Sequence, residues 1–170
     1  MARQALSLKA RAIGLLAQRE QSRAELRRKL LRIEQQRLRV AATGDDRGAI
    51  VEPTAEEAAE TAETAVDALL DTLAADGYLD ETRFIESRLH IRAGRFGAQR
   101  IQQELAQHGL KLDAEQQVNL RATELERARE VWLKRFGDEP PREATEQARQ
   151  TRFLVARGFA PDVVRRLLRG

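Results

Sequence analysis

Leu105-Ala-Gln-His-Gly-Leu-Lys-Leu-Asp113 returns 49 residues later as Leu154-Val-Ala-Arg-Gly-Phe-Ala-Pro-Asp162. The shared pattern is Leu, three residues, Gly, a large apolar residue, two residues, Asp. Each part has a physical reading. The Leu closes the apolar face of one helix, the Gly takes the left-handed conformation that ends it, and the Asp caps the next. The pattern is a helix–turn–helix joint, and it occurs twice. A second self-match, at an offset of 75, lays Ser22-Arg-Ala-Glu-Leu-Arg-Arg-Lys-Leu30 on Gly97-Ala-Gln-Arg-Ile-Gln-Gln-Glu-Leu105. Both matches fit one unit, repeated: a helix, an abrupt turn, a second helix, a longer or Gly-centred turn, a third helix.

The rest of the chain follows the same reading. Leu6, Ala10, Ile13 and Ala17 fall at helical spacing over 6–19. Ser22-Arg-Ala-Glu25 reads as a capping box that opens a helix with Leu26, Leu30 and Ile33 on its apolar line. Thr43-Gly-Asp-Asp-Arg-Gly reads as a loop. Thr54-Ala-Glu-Glu57 is a second capping box, and its helix carries Val66, Leu69, Leu70 and Leu73 as one stripe. Gly77 and Asp80 mark the next stop and start. A helix over 81–93 presents Phe84, Ile85, Leu89 and Ile91; the next carries Ile101 and Leu105. Asp113 caps a helix with Ala114, Val118 and Ala122 in line. Leu125, Ala128, Trp132 and Phe136 follow, and the spacing predicts core for Trp132 and Phe136. Val163, Val164, Leu167 and Leu168 form the last apolar face.

The expected fold is therefore all-α: three tandem three-helix repeats at 1–78, 79–122 and 123–170, with an acidic insert at about 43–63 in the first. One such unit buries only a small core, so stacked neighbours complete each other and an elongated, curved molecule is expected. Abundant Ala, Leu, Arg, Gln and Glu, with few aromatic or β-branched residues, agree with helix throughout. No cysteine is present, which excludes disulfides and cysteine-based zinc sites. No apolar run of about 18 residues argues for a membrane span. The first residues run into an amphipathic pattern rather than a secretory core, so a soluble cytoplasmic protein is expected. No heptad seam argues for a dimer, so a monomer is expected.

Charge is unevenly placed. Residues 1–42 hold 11 basic and 3 acidic groups, and 43–82 hold 1 and 12. Residues 83–135 hold 11 and 7, and 136–170 hold 7 and 5. Most of the basic charge is Arg, which suits bidentate partners such as phosphates and carboxylates. The acidic, alanine-rich stretch from Ala55 to Ala65 has little to bury. It reads as an exposed or fraying helical extension, with an acidic DNA-mimicking face as the sharper alternative.

Gly94-Arg-Phe-Gly97 raises the possibility of a G-x-x-G phosphate clamp. The self-match answers it: Gly97 lies where Ser22 caps a helix, and Gly94 where Arg19 stands. What recurs is a turn. Candidate contacts to an anionic partner are instead the arginines around it, Arg92, Arg95 and Arg100, and the cluster Arg23, Arg27, Arg28 and Lys29 on the second helix. Each singly also fits a solvated side chain. No catalytic set is legible: His90 and His108 lack metal-like spacing, no Walker loop occurs, and Asp80 and Asp113 are explained as caps. No cofactor or metal is expected.

Three groups of residues, taken in order, resemble the RecX family of bacterial regulatory proteins. They are Gln18-Arg-Glu-Gln-Ser22-Arg-Ala-Glu25-Leu-Arg-Arg-Lys-Leu30; Gly77-Tyr-Leu-Asp80 with Gly97-Ala-Gln-Arg100-Ile101-Gln-Gln-Glu104-Leu105; and Phe153-Leu-Val-Ala-Arg157-Gly158-Phe159. The resemblance covers nearly the whole chain. It implies a non-enzymatic protein whose partner is the recombinase RecA, bound within the groove of the RecA filament on single-stranded DNA. It further implies restraint of filament growth, ATP hydrolysis, strand exchange and co-protease activity, hence modulation of recombination, DNA repair and the SOS response. Direct binding to single- and double-stranded DNA is also implied. The acidic insert departs from the family pattern. A stand-alone, sequence-independent DNA-binding helical protein is the alternative, and a helical scaffold for another acidic protein is a third reading.

Overall fold

A computed structural model describes residues 6–43 and 54–169. Among the described residues all regular structure is helical: α1 (Leu8–Gln18), α2 (Arg23–Thr43), α3 (Ala55–Ala75), α4 (Glu81–Ala93), α5 (Ala98–Ala106), α6 (Ala114–Ala122), α7 (Glu124–Phe136), α8 (Ala144–Ala156) and α9 (Pro161–Arg169). The chain divides into two compact units, Met1–Phe84 and Ile85–Gly170. The expected loop after Thr43 and the first half of the acidic insert lie outside the described residues.

The first unit is built on α2 and α3, which run antiparallel. Leu26 and Leu30 of α2 meet Val66, Leu70 and Leu73 of α3, and α1 adds Ala12; all six are fully buried. Leu8, Leu15, Leu16, Ile33 and Leu69 pack around them. Truncating any one of these leucines to Ala would cost about 2–5 kcal/mol, because the cavity cannot fully collapse. The starts are chemically specified. Ser22 Oγ accepts from the Glu25 N–H at 3.1 Å, and Thr54 Oγ1 from the Glu57 N–H at 3.2 Å. The Glu57 carboxylate accepts in turn from the Thr54 N–H at 2.8 Å, completing the box. The Glu25 carboxylate takes Arg19 and Lys29.

The acidic stretch Ala55–Ala65 is helical and, over 56–65, mostly exposed, as expected. It belongs to α3 from Ala55 onward, and Glu63 pairs with Arg27 of α2 at 3.1 Å.

In the second unit Ala128, Val131, Trp132, Leu154, Phe159, Val164 and Leu168 form one core, and Ile101, Leu105 and Leu120 are also buried. Trp132 is core, as its spacing predicted. Its indole N–H donates to Gln150 Oε1 at 2.7 Å, so the buried polar atom is satisfied. Asp113 caps α6 through a box with Gln116.

Two residues fall on the other side of their helices from the one expected. Val118 is 65 % exposed and Leu120 is buried instead, and Ile91 is 59 % exposed. Helix α6 has nine residues, too few for the 3.6-residue period to choose between faces.

The Gly94–Gly97 turn is fixed by the turn between α8 and α9. The Gly97 N–H donates to Arg157 O at 2.9 Å, and the Gln99 N–H to Gly158 O at 3.2 Å. A Cβ on Gly97 would lie 2.1 Å from the Gly158 carbonyl oxygen. Gly158, at φ +81°, would in turn thrust a Cβ to 2.5 Å from the backbone nitrogen of Arg100. Two backbones touch here, and only glycine at both positions allows it. Gly97 supplies no side-chain cap to α5. Glu124, 3 % exposed, does it from a distance: its Oε1 accepts from the Ala98 N–H at 3.0 Å and the Ala160 N–H at 3.2 Å.

Candidate nucleic-acid interface

The seven cationic residues singled out in the sequence have different surroundings. In the first unit Arg23 pairs with Asp71 at 2.7 Å, and Arg27 with Asp67 at 2.7 and 3.0 Å and Glu63 at 3.1 Å. Hydrogen bonds donated to these carboxylates, to Asp67 first, raise the Arg27 guanidinium further above its ordinary range. The Arg27 hydrogen bond holds Asp67 below the usual carboxylate value, against the opposing pull of desolvation. Lys29 donates to Gln21 Oε1 at 2.8 Å and pairs with Glu25 at 3.1 Å. Arg28 is exposed and forms no ion pair among the described residues.

In the second unit Arg92 and Arg100 turn toward each other across Phe96 and Glu104. Their guanidinium carbons lie 5.1 and 5.9 Å from the Phe96 ring centre, within cation–π range. Arg100 Nε is 3.5 Å from one Glu104 oxygen. Arg92 Nε is 2.9 Å from the other, yet its N–H is not aligned for a hydrogen bond, so the contact is an ion pair by distance alone. Arg95 is different. It is exposed, has no carboxylate partner among the described residues, and opens onto a cleft.

That cleft has a volume of about 420 Å³ and is lined by Gly94, Arg95, Val131, Lys134, Arg135, Phe153 and Arg157. Its cations stand at helix ends. Arg95 follows the end of α4, Lys134 and Arg135 occupy the last turn of α7, and Arg157 is the C-cap of α8. Three carbonyl-bearing helix ends thus gather four positive side chains, the arrangement the helix dipole favours. None of the four forms an ion pair among the described residues. The floor is apolar and aromatic. Arg157 stacks on the Phe153 ring at 4.0 Å, Phe153 meets Phe136 edge-on at 5.0 Å, and Arg135 lies 5.7 Å from Phe136. A guanidinium seated over a ring face still has N–H groups free to donate. A concave surface with three guanidinium groups, one ammonium and an apolar floor can take phosphates and an unstacked base, or a row of carboxylates.

Of the seven expected residues only Arg95 enters this cleft. Lys134, Arg135 and Arg157 escaped the sequence reading because they come from the ends of other helices. The signal available was Arg157, which falls on His108 when the two joints are aligned, and the basic pair closing α7.

The half-buried Arg127 holds the arrangement together. It donates to Ala93 O at 2.9 Å, Phe96 O at 2.8 Å, Leu120 O at 2.7 Å and Thr123 Oγ1 at 3.2 Å. Burial draws its pKa down and the neighbouring Glu124 charge opposes that. One guanidinium thereby satisfies carbonyls at the ends of α4 and α6 and fixes the turn that carries Arg95.

The third three-helix domain of RecX, as a family model, matches residues 122–168. The chain is 46% identical over 170 residues to the regulatory protein RecX of Ralstonia nicotianae, covering 99% of this chain and 90% of that one. It is 45% identical over 170 residues to the regulatory protein RecX of Ralstonia pickettii, with the same coverage. Against that of Leptothrix cholodnii it is 47% identical over 166 residues, 96% of this chain and 88% of the relative. The chain belongs to the RecX family. A regulatory role follows for this RecX-family chain. Its cleft draws Val131, Lys134, Arg135, Phe153 and Arg157 from the segment that the RecX third domain matches, and Gly94 and Arg95 from before it. No described helix of this RecX-family chain is long and apolar enough to cross a membrane.

Proposed function

We propose that the chain regulates RecA by docking on its filament on DNA, without catalysis of its own, and that it restrains RecA's ATPase, strand-exchange and co-protease activities. The observation that carries the reading is near-full-length identity to proteins named regulatory protein RecX. The division into three three-helix units at 1–78, 79–122 and 123–170 belongs to the same proposal. It is supported by nine helices among the described residues and by the third-domain match.

The cleft of the second unit supplies the contact, through Arg95, Lys134, Arg135 and Arg157, to DNA phosphates or to an acidic face of the filament. The test is titration of RecA's DNA-dependent ATPase. Inhibition at micromolar concentration is expected. Joint replacement of Arg95 and Arg157 by Ala should raise the half-inhibitory concentration about tenfold or more, the scale of one or two lost charge-assisted contacts. An unchanged ATPase at micromolar excess of the intact chain would sink the reading.

The second reading, a stand-alone DNA-binding protein, draws on the same unpaired cations. It predicts tight, steeply salt-dependent binding to DNA without RecA.

A further inference from the structure

The acidic face of α3 has no role in the reading above, yet it is the most regular charged feature of the first unit. Glu63, Asp67 and Asp71 stand four residues apart, so they form one row with steps of about 6 Å along the helix. Opposite them Arg23 and Arg27 stand four apart on the antiparallel α2. The registers match: Asp71 meets Arg23, and Asp67 and Glu63 meet Arg27. Asp67 offers both oxygens to Arg27, at 2.7 and 3.0 Å, the two-pronged geometry that a phosphate also presents.

We infer that Arg23 and Arg27 form a latent docking surface for a phosphodiester strand, and that the α3 acidic row covers it as an internal mimic of that strand. Three observations support this. The row repeats single negative charges at regular spacing, as a nucleic-acid backbone does. The groups remain at the surface, with Asp71 72 % and Glu63 57 % exposed, so a strand can reach the arginines once the carboxylates release them. And the pairing contrasts with the second unit, where the four cleft cations have no carboxylate partner among the described residues. The intact chain should therefore engage DNA through its second unit, with the α2 arginines contributing little.

The inference builds on the proposal that the chain meets DNA, but its test omits RecA, so the two can fail separately. Binding of a fluorescently labelled single-stranded oligonucleotide is followed by anisotropy over a salt series. Replacing Glu63→Gln, Asp67→Asn and Asp71→Asn together should tighten binding. It should also steepen the salt dependence by up to about 1.4 in slope, two arginines at about 0.7 each.

A control removes three charges that lie off α3, Glu81→Gln, Glu115→Gln and Glu139→Gln. These residues are exposed and form no ion pair among the described residues. The control should shift affinity by less and leave the slope unchanged. Arg23→Ala with Arg27→Ala should change neither quantity in the otherwise intact chain, and should restore the original slope in the neutralised one. Asp67→Asn alone serves where the triple variant loses its helical circular dichroism, with a gain in slope of about 0.7 expected. If the intact chain shows no binding at all, appearance of binding in the neutralised chain supports the inference. An unchanged slope on neutralisation, or a slope already lowered by the arginine replacements in the intact chain, overturns it. A larger gain for poly-glutamate than for the oligonucleotide would overturn the assignment to nucleic acid.

Discussion

Gly97 shows what one residue can and cannot reveal. Its place after Phe96 and before a helical pattern marks it as a cap, and the self-match with Ser22 excludes a recurring phosphate clamp. The reason for glycine rather than serine lies elsewhere, in the Gly158 carbonyl 61 residues away in sequence, which leaves no room for a Cβ. Gly97→Ala should lower stability by at least about 2 kcal/mol, measured as a fall in urea midpoint, because the obstacle is backbone and cannot rotate away. Gly158→Ala should do at least as much, adding the strain of a positive φ. Serine at 97 should behave like alanine despite being the better cap, which separates close approach from capping.

Glu25 carries a different prediction. Desolvation pushes its carboxyl up, but hydrogen bonds from Arg19 and Lys29 and their charges outweigh this and hold it at about 2. A group depressed in the folded state stabilises it fully above its ordinary value of 4.5, and that contribution is lost as pH falls toward 2. Glu25→Gln should therefore flatten the acid limb of the stability profile between those values while lowering stability at neutral pH.

At the scale of elements, the starts and stops of helices were legible because capping chemistry is local. Thr54 with Glu57, Asp80 and Asp113 all act as read, and the structure adds Gln116 as the partner that completes the Asp113 box. Helix faces were legible where the pattern was long, as in α3 with Val66, Leu70 and Leu73, and less so in α6, where Val118 was taken for Leu120. Arg127 was not legible at all. In sequence it is one of many arginines on an exposed-looking helix; in the fold it binds four oxygens from three different segments. Arg127→Met should cost about 3 kcal/mol, since it strands three part-buried carbonyls. Arg127→Lys should recover only part of that, because an ammonium cannot span acceptors spread across a planar fork. Both are read by thermal or urea unfolding. The Met variant should also weaken any binding that depends on Arg95, whose turn Arg127 supports.

For the molecule as a whole, the same residue type serves two purposes. Arginine pairs with carboxylates across α2 and α3 and gathers without carboxylate partners in the cleft of the second unit. Salt should reveal the difference. Screening from 50 to 500 mM should weaken DNA binding steeply, while changing the stability of the first unit by less than about 1 kcal/mol, since exposed pairs contribute little. The sequence by itself determined that this protein is helical, where most helices begin and end, and which family it belongs to. Those properties rest on local capping, on apolar periodicity, and on the order of motifs along the chain. Only the tertiary structure decided which arginines are available. Availability depends on which carboxylate, ring or carbonyl lies opposite each guanidinium across space, and neither composition nor spacing along the chain encodes that. Arg23 and Arg27 looked like the stronger cluster, and α3 brings carboxylates onto them. Arg157 was assigned no role, and the turn at Gly158 sets it beside Arg95.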